Sequence, residues 1–429
     1  MTTDVEIQGG VSAARPGLLS AGLRVGAATT FASAANYLSN VVLGRGLGPT
    51  QFADAALVVS GLLLLSAMAL GLQLTAARAI AAGARENAVR TVRRRAAVAG
   101  VSVGLLIVVV APVVASAFNM GSSLPVLVLG VGVPIYFMLA VARGAAQAGH
   151  AFGRLAFSIG LEAAARLAVT AACVAGGLGP TGAAIALCVS FAAALAPLRV
   201  SVAARAPGAD TAEPALPRSV LGATLLLLVG QVIISNGDLW VVAARVPDEA
   251  GVYAAVALIG RLVFIAAWSV ITVVFPSLVS GGERRSQGAL LARAVALTAG
   301  FGGVLTLGAA LFAKPLMSSV VGDGFAGGAR LLWPYALATT LFVVANLLAV
   351  ADVAAGRVVV PGVVAIGAAV QTVVLLAGAS AGVAWVIWAQ VVLMAALLVA
   401  SFLASPHGRA LFRRRVSCDL VSLRALGPA

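Results

Sequence analysis

The sequence predicts an all-α, polytopic membrane protein, and three observations support this prediction. Hydrophobic residues make up 61% of the chain, charged residues make up only 10%, and the mean hydropathy is +1.08. A soluble domain needs about 25% charged residues to keep its surface wetted. The apolar residues also recur in runs of about 20, the length with which an α-helix crosses a bilayer. Most of this chain of 429 residues must therefore face lipid.

The apolar runs predict about twelve transmembrane helices in two pseudo-symmetric six-helix bundles. The twelve spans are approximately 20–44, 51–77, 96–118, 123–143, 153–176, 180–200, 219–244, 250–278, 289–312, 329–351, 358–379 and 382–404. The segment 205–217, RAPGADTAEPALP, is polar and rich in proline, as an inter-lobe linker would be. We therefore expect an N-terminal lobe over 20–204 and a C-terminal lobe over 218–404.

The basic residues predict the orientation of these spans. If the N-terminal tail 1–19 is cytoplasmic, 22 of the 28 Lys and Arg residues lie on the cytoplasmic side. They lie in the connections and the two tails, including the basic tail 405–429, or, like Arg24, near the inner end of a span. This asymmetry is typical of cytoplasmic loops and places both termini in the cytoplasm. The net charge of +14 is thereby explained by topology, and nucleic-acid binding is disfavoured because the charges do not follow one face. The expected location is a bacterial cytoplasmic membrane.

Cysteine and histidine residues predict no disulfide framework, metal site or cofactor. The three cysteines Cys173, Cys188 and Cys418 show no C-x-x-C spacing, and the two histidines are isolated. The sequence also contains no nucleotide-binding G-x-x-x-x-G-K-[ST] motif. Any driving force would have to come from an ion gradient, the membrane potential or coupled synthesis.

Short polar motifs recur in the two halves. The residues Leu-Ser-Asn at 38–40 and GPTQFA at 48–53 correspond to Ile-Ser-Asn at 234–236 and VPDEAG at 246–251. An offset of about 200 residues predicts a parallel repeat of six spans, with a cavity between the halves. Chance similarity in a biased composition is the alternative.

Ionisable residues near the bilayer centre are the candidate functional residues, because such residues are rare and mostly face a cavity or one another. Glu162 and Arg166 have the i,i+4 spacing that puts them on one helix face. They predict either a cavity arginine oriented by Glu162 or a structural pair between helices.

A second pair of candidates lies in the C-terminal half. Arg261 falls near the middle of the eighth span and Asp238 in the outer half of the seventh, and a short turn joins these spans. A salt bridge between the two is one interpretation, and a hydrogen bond from Asn236 or Trp240 to Asp238 is the other. The central charges of Arg166 and Arg261 are cationic, which favours an anionic cargo, because guanidinium groups bind phosphate in a bidentate manner. Arg24 lies near the inner end of the first span, where snorkelling to the headgroups explains it equally well.

A series of motifs in this order resembles the polysaccharide-transporter family of the multidrug/oligosaccharidyl-lipid/polysaccharide exporter (MOP) superfamily. The motifs are NYLSNVVLGRGLGPTQFADAAL (36–57), LGLQLTAARAIA (70–81), RGAAQAGHAFGR (143–154), SNGDLWVVAARVPDEAGVYAAVALIGRL (235–262) and FPSLVSG (275–281). The resemblance covers residues 20–404. It implies a V-shaped pair of bundles that flips a polyprenyl-pyrophosphate-linked oligosaccharide, the precursor of an exopolysaccharide, capsule or O-antigen-type polymer, across the membrane by alternating access. Its other implied partners are membrane lipids and a polymerase or glycosyltransferases of the same pathway.

In such flippases, arginines in the cavity are thought to hold the pyrophosphate. The resemblance implies a substrate-binding role for Arg24, Arg45, Arg166 and Arg261. A coupling or orienting role is expected for three further residues, Glu162, Asn236 and Asp238.

Three other function classes fit the sequence less well. An ion-coupled drug exporter of the same superfamily would need a lobe rich in carboxylates. A major-facilitator transporter would carry Gly and Asp in its loop between spans two and three, whereas 83–95 reads GARENAVRTVRRR. A membrane enzyme would need acids or histidine in a sizeable outer loop, but the longest, about 313–328, offers only Lys314 and Asp323. We therefore do not expect an enzyme.

Overall fold

The computed structural model describes residues 16–81, 86–198, 218–264, 284–406 and 409. These residues form thirteen α-helices and three short 3-10 helices, with no strand among them, which confirms the all-α prediction. The α-helices are α1 (Pro16–Gly46), α2 (Pro49–Ala81), α3 (Glu86–Ala117), α4 (Leu124–Ala148), α5 (Phe152–Ala175), α6 (Gly179–Leu195), α7 (Arg218–Arg245), α8 (Pro247–Gly260), α9 (Arg284–Leu311), α10 (Ala313–Val320), α11 (Leu332–Ala354), α12 (Val359–Gly378) and α13 (Val383–Ala404). The 3-10 helices are Ala196–Leu198, Asp323–Leu331 and Ala379–Ala381.

Ten helices of the described segments are long and apolar enough to cross a membrane. They are α2 to α7, α9 and α11 to α13, so the polytopic prediction is confirmed. The first helix is long enough, but polar residues such as Asn36 and Asn40 lower its mean hydropathy. The predicted eighth span, 250–278, is described only to residue 264, and the predicted linker, 205–217, lies outside the described residues.

The helices pack in two groups. Helices α1 to α6, here called the N-lobe, pack together around α4, which contacts α2, α3 and α6. In helices α7 to α13, the C-lobe, α7 packs on α12, and α11 lies between α9 and α13. The lobes meet where α2 contacts α7 and α8.

Glycine residues allow α2 and α3 to approach α4 closely. A Cβ at Gly104 of α3 would lie 2.5 Å from the carbonyl oxygen of Gly130 on α4, and a Cβ at Gly144 of α4 would lie 2.2 Å from that of Gln73 on α2. Small residues at helix interfaces are the usual way to gain van der Waals contact in lipid, where the hydrophobic effect between helices is absent. Helix α4 therefore packs closely against both neighbours.

The lobes are packed together at the end that the charge distribution predicts to be outer, called the outer end below. A Cβ at Gly251 of α8 would lie only 2.0 Å from the carbonyl oxygen of Pro49 at the start of α2. Beside this contact, the rings of Phe52 and Phe325 meet edge to face, with centroids 5.7 Å apart. The outer end is therefore closed in this conformation.

Hydrogen bonds between the lobes reinforce this closure. The Asn119 side chain, in the loop after α3, donates from Nδ2 to the carbonyl oxygen of Ala243 on α7 at 3.1 Å. Arg45, at the end of α1, donates to the carbonyl oxygen of Ser319 on α10. Both acceptors are main-chain atoms, so these contacts depend on the position of the C-lobe backbone.

A further hydrogen bond between the lobes lies deeper in the protein, between α7 and α2. The indole Nε1 of Trp240 on α7 donates to Oγ of Ser60 on α2 at 2.8 Å. Ser60 is buried and Trp240 is half-buried. Ser60 also lines the cavity described next, so this bond joins the two lobes at the cavity wall.

Candidate functional site: a cavity between the lobes

A cavity of about 400 Å³, here called the central cavity, lies between the two lobes. Helices α1, α2, α5 and α6 line it on one side, and α7, α8, α11 and α13 line it on the other. Its polar lining includes Ser33, Asn36, Asn40, Asn236, Thr339 and Gln390. Both lobes contribute to it, as expected of a site in an alternating-access protein.

Arg166 of α5 brings a positive charge to the N-lobe wall of the central cavity. Its Nη1 donates to Oδ1 of Asn36 on α1 at 3.0 Å, and its Nη2 pairs with Oε1 of Glu162 at 2.6 Å. The guanidinium also lies over the ring of Phe191, 5.9 Å from the centroid. Arg166 is therefore fixed in orientation by groups from three helices before any cargo is present.

Glu162 binds a second arginine as well. Its Oε2 lies 2.7 Å from Nη2 of Arg143 on α4, while its Oε1 holds Arg166 one turn along α5. Arg143 is also anchored to Ser158 of α5, through Oγ at 3.3 Å and the carbonyl oxygen at 3.2 Å. One carboxylate thus bridges two arginines of the N-lobe, and the sequence spacing had indicated only one of them.

Arg261 brings the corresponding charge to the C-lobe wall. Helix α8 ends at Gly260, and Arg261 follows at the break. Its Nη1 donates to Oδ1 of Asn236 at 3.2 Å, and its Nη2 lies 3.4 Å from Oδ1 of Asp238. In each lobe, an arginine of the cavity is therefore bound to an asparagine on the first helix of that lobe.

Two tyrosines complete the surroundings of Asp238, which is 1% exposed. Tyr253 and Tyr335 both donate to its Oδ2, at 2.8 and 3.0 Å. Tyr335 also accepts a hydrogen bond from Nε of Arg261 at 3.0 Å. A buried carboxylate is tolerated only when it is paired and hydrogen-bonded, and here Arg261 and the two tyrosine hydroxyls meet that condition.

The structure brings together five of the seven residues that the sequence singled out. Arg166, Asn236 and Arg261 line the central cavity, and Glu162 and Asp238 lie behind the two arginines as their ion-pair partners. Of the interpretations left open for Asp238, the structure shows the salt bridge to Arg261.

The other two residues lie elsewhere. Arg24 is exposed on α1 and does not line the central cavity. Arg45 is at the outer end, bonded to the main chain of Ser319. In this conformation neither residue contributes to the central cavity.

Several residues of the site carry no signal in the sequence. Asn36 is 130 positions from Arg166, and Tyr335 is 97 positions from Asp238. A tyrosine or asparagine in an apolar run looks like an ordinary interfacial or packing residue. Only their scarcity in this composition, with 4 Tyr in the chain, could have raised interest in them.

The charge balance of the central cavity is the main chemical feature of the site. Arg166 and Arg261 line it, and none of the described residues that line it is acidic. The two carboxylates of the site point at the arginines from behind. The surface offered to a cargo is therefore cationic, with amides and hydroxyls around it.

If the cavity carries a cargo, as the resemblance implies, we expect Glu162→Gln to retain transport within about tenfold of the wild-type rate, because an amide oxygen can still accept a hydrogen bond from Arg166. The rate is measured with purified protein in proteoliposomes. Glu249→Gln, at an exposed acid on α8, is the matched control. A folded Glu162→Gln variant without any transport would show that the charge or a proton on this carboxylate is essential.

Comparisons with known proteins concern the fold. No family model matches the chain, and no curated protein is similar to it in sequence. Among solved structures, the chain is similar to the lipid II flippase MurJ in an inward closed conformation, with a TM-score of 0.70 and 14% identity over 89% of this chain and 87% of that one. It is also similar to an inward-facing multidrug resistance MATE family transporter of the MOP superfamily, with a TM-score of 0.66 and 16% identity over 89% of this chain and 95% of that one.

An outward-facing structure of a MATE family transporter of the same superfamily is a further match. Its TM-score is 0.56 at 16% identity, over 92% of this chain and 95% of that one. The higher scores of the two inward structures agree with the packing of the lobes at the outer end. The chain has the fold of the MOP-superfamily exporters, with its outer end closed.

Proposed function

We propose that this protein is a flippase that carries a polyprenyl-pyrophosphate-linked oligosaccharide across the membrane by alternating access. One observation supports this proposal most strongly. Arginines from opposite lobes face a shared cavity, and the carboxylates that hold them lie outside its lining. A cargo that bridges Arg166 and Arg261 would contact both lobes at once, so its binding could be coupled to their movement.

A pyrophosphate group fits the chemistry of the two arginines. Guanidinium groups bind phosphate oxygens through two parallel hydrogen bonds, and such charge-assisted bonds are stronger than neutral ones. Arg166 and Arg261 are each fixed by an asparagine and a carboxylate. Little side-chain entropy would therefore be lost when the anion binds.

The remaining wall of the central cavity suits the rest of such a cargo. Apolar side chains, among them Leu63, Leu187, Phe342 and Met394, cover much of it, and amide groups lie between them. The apolar wall would accept the first isoprene units, and the amides and hydroxyls would bind the first sugar. The polymer precursor would then be passed to a polymerase or glycosyltransferase outside a bacterial cytoplasmic membrane.

An ion-coupled exporter of small molecules is the second candidate, because MATE transporters share the fold. Exporters of cationic compounds need acidic side chains in contact with the cargo. The described lining of the central cavity has none, and this favours an anionic cargo. A small organic anion would fit the second candidate.

Binding and flipping of a labelled lipid-linked glycan by purified protein test the proposal. Arg166→Ala and Arg261→Lys are each expected to weaken binding by about tenfold to a hundredfold, because each removes bidentate hydrogen bonds to an anion. Lysine at 261 keeps the charge opposite Asp238, so the fold should be preserved. Arg330→Ala, at an exposed arginine of the 3-10 helix Asp323–Leu331, is the control.

Cells provide an independent test of the cargo. A deletion strain should accumulate the lipid-linked oligosaccharide on the inner leaflet, and analysis of its lipids would identify the glycan. Wild-type flipping rates in both arginine variants, or an unchanged lipid profile in the deletion strain, would argue against the proposal.

A further inference from the structure

A second cavity, here called the inner cavity, lies between the lobes and has a volume of about 300 Å³. Three helix segments line it: Ser66–Gln73 of α2, Tyr136–Arg143 of α4 and Leu228–Val232 of α7. Its polar groups include the side chains of Gln73 and Gln231. The inner cavity is thus formed by different residues from the central cavity.

The two cavities adjoin along the same two helices. On α2 the lining of the central cavity ends at Leu63, and that of the inner cavity begins at Ser66. Three residues of an α-helix rise by about 4.5 Å. On α7 the change occurs between Val232 and Ile234. The inner cavity therefore follows directly on the central cavity, away from the closed outer end.

Arg143 gives the inner cavity its charge. It is the one charged residue among the described residues that line this cavity. Two hydrogen bonds to Ser158 and the ion pair with Glu162 hold its guanidinium in place. Ser158 in turn donates to the carbonyl oxygen of Ala194 at 2.8 Å, so the support for Arg143 is itself fixed.

Glu162 connects the arginines of the two cavities. It pairs with Arg143 of the inner cavity through one oxygen and with Arg166 of the central cavity through the other. One carboxylate and two guanidinium groups carry a net charge of +1. An anion that takes Arg143 would leave Glu162 paired with Arg166, and an anion that takes Arg166 would leave it paired with Arg143.

Aromatic rings join the same two cavities beside this ion-pair group. Tyr136, which lines the inner cavity, packs on Phe191 with ring centroids 4.6 Å apart. Phe191 in turn lies under the guanidinium of Arg166. The two packed rings therefore lie between the inner cavity and the guanidinium of Arg166.

We propose that the inner cavity is a second binding site for a phosphate or pyrophosphate group, with Arg143 as its binding residue. An anionic cargo would contact Arg143 first and Arg166 next, while Glu162 neutralises whichever arginine is free. This inference rests on the proposed function, because it assigns a second site for the same class of cargo. It adds a binding residue on α4, Arg143, to those on α5 and after α8.

Cysteine protection can test the two sites separately. In full-length protein with Cys173, Cys188 and Cys418 replaced by alanine, Ser66→Cys reports on the inner cavity and Ser33→Cys on the central cavity. Both exchanges replace one oxygen by sulfur, and both positions are half-buried. The rate of labelling by a water-soluble maleimide is measured with inorganic pyrophosphate, with farnesyl pyrophosphate and with farnesol.

Both pyrophosphate probes are expected to slow labelling at each position, and farnesol is expected to have no effect. Arg143→Gln should raise the concentration needed to protect Ser66→Cys by about tenfold. The concentration needed to protect Ser33→Cys should rise by a smaller factor, because Glu162 then pairs with Arg166 alone. Protection by farnesyl pyrophosphate but not by inorganic pyrophosphate would identify the lipid-linked group as the ligand. Protection by both would identify the anion itself.

Two results would overturn the inference alone. One is protection at Ser33→Cys without protection at Ser66→Cys. The other is equal protection of Ser66→Cys by farnesol, since contact with the lipid tail would then explain it. If Arg143 is intact and neither Ser33→Cys nor Ser66→Cys is protected by any of the probes, the proposed function itself would be refuted. If Arg143→Gln fails to fold, Arg143→Lys takes its place. Because lysine keeps the charge, this variant should weaken the protection of Ser66→Cys by a smaller factor than the loss of the charge would.

Discussion

Arg261→Met is expected to lower the free energy of unfolding by about 3–5 kcal/mol, because it leaves a buried carboxylate without its cationic partner. Asp238 is 1% exposed and would keep only the hydroxyl groups of Tyr253 and Tyr335 as donors. These neutral groups cannot replace a guanidinium at 3.4 Å. Unfolding is followed by steric trapping or by thermal denaturation in detergent.

A second substitution tests whether the unpaired charge of Asp238 causes this loss of stability. Asp238→Asn combined with Arg261→Met removes the unpaired charge, so the double variant should regain most of the lost stability, although it should not bind the anionic cargo. A stability of the double variant equal to that of Arg261→Met would show that the ion pair is not responsible.

Arg166→Met is the matched comparison in the other lobe. Glu162 would still be paired with Arg143 at 2.7 Å, so no carboxylate would be left unpaired. We expect a clearly smaller loss of stability than for Arg261→Met. Equal losses in the two variants would contradict the difference in ion pairing between the lobes.

Gly251→Ala is expected to open the outer end of the protein. The added Cβ would lie 2.0 Å from the carbonyl oxygen of Pro49, whereas an ordinary contact begins at 3.4 Å. The nearest atoms all belong to the backbone of Pro49 at the start of α2, so no flexible side chain can move aside. Overpacking of this kind costs roughly 1–3 kcal/mol, which would act against the outer-closed conformation and leave an outer-open one unaffected.

Distances between spin labels measure this shift. Labels at Ala175 of the N-lobe and Lys314 of the C-lobe occupy exposed positions at the outer end. Gly251→Ala should increase the population with long distances between them. Gly327→Ala is the control, because a Cβ there meets no atom within 4 Å. An unchanged distance distribution in Gly251→Ala would show that the lobes can absorb the contact locally.

The class of fold could be predicted from composition and hydropathy alone, because a chain with so few charges must face lipid. The first helix is less apparent, since Asn36, Tyr37, Ser39 and Asn40 reduce its hydropathy and face the cavity instead. Helix α8 shows another difference. A continuous span was predicted over 250–278, but the helix ends at Gly260 and is interrupted at Arg261. Hydropathy averages over such a break and does not reveal it.

The candidate site was predictable only where partners are close in sequence. Glu162 and Arg166 are four residues apart, and Asp238 and Arg261 lie on helices joined by a short turn. Arg143 lies on the preceding helix, and its pairing with Glu162 depends on how α4 and α5 cross. Such long-range contacts are set by packing, for which a single sequence carries no pattern.

The hydrogen bond between Trp240 and Ser60 has a consequence for spectroscopy. The indole lies at the seam between the lobes, and separation of α2 from α7 would break its hydrogen bond to Ser60 and expose the ring to a more polar medium. Indole emission shifts to longer wavelength in such a medium. A variant that keeps Trp240 as its single tryptophan would therefore carry a fluorophore at the seam that the proposed alternating access opens, and its emission wavelength would report that opening.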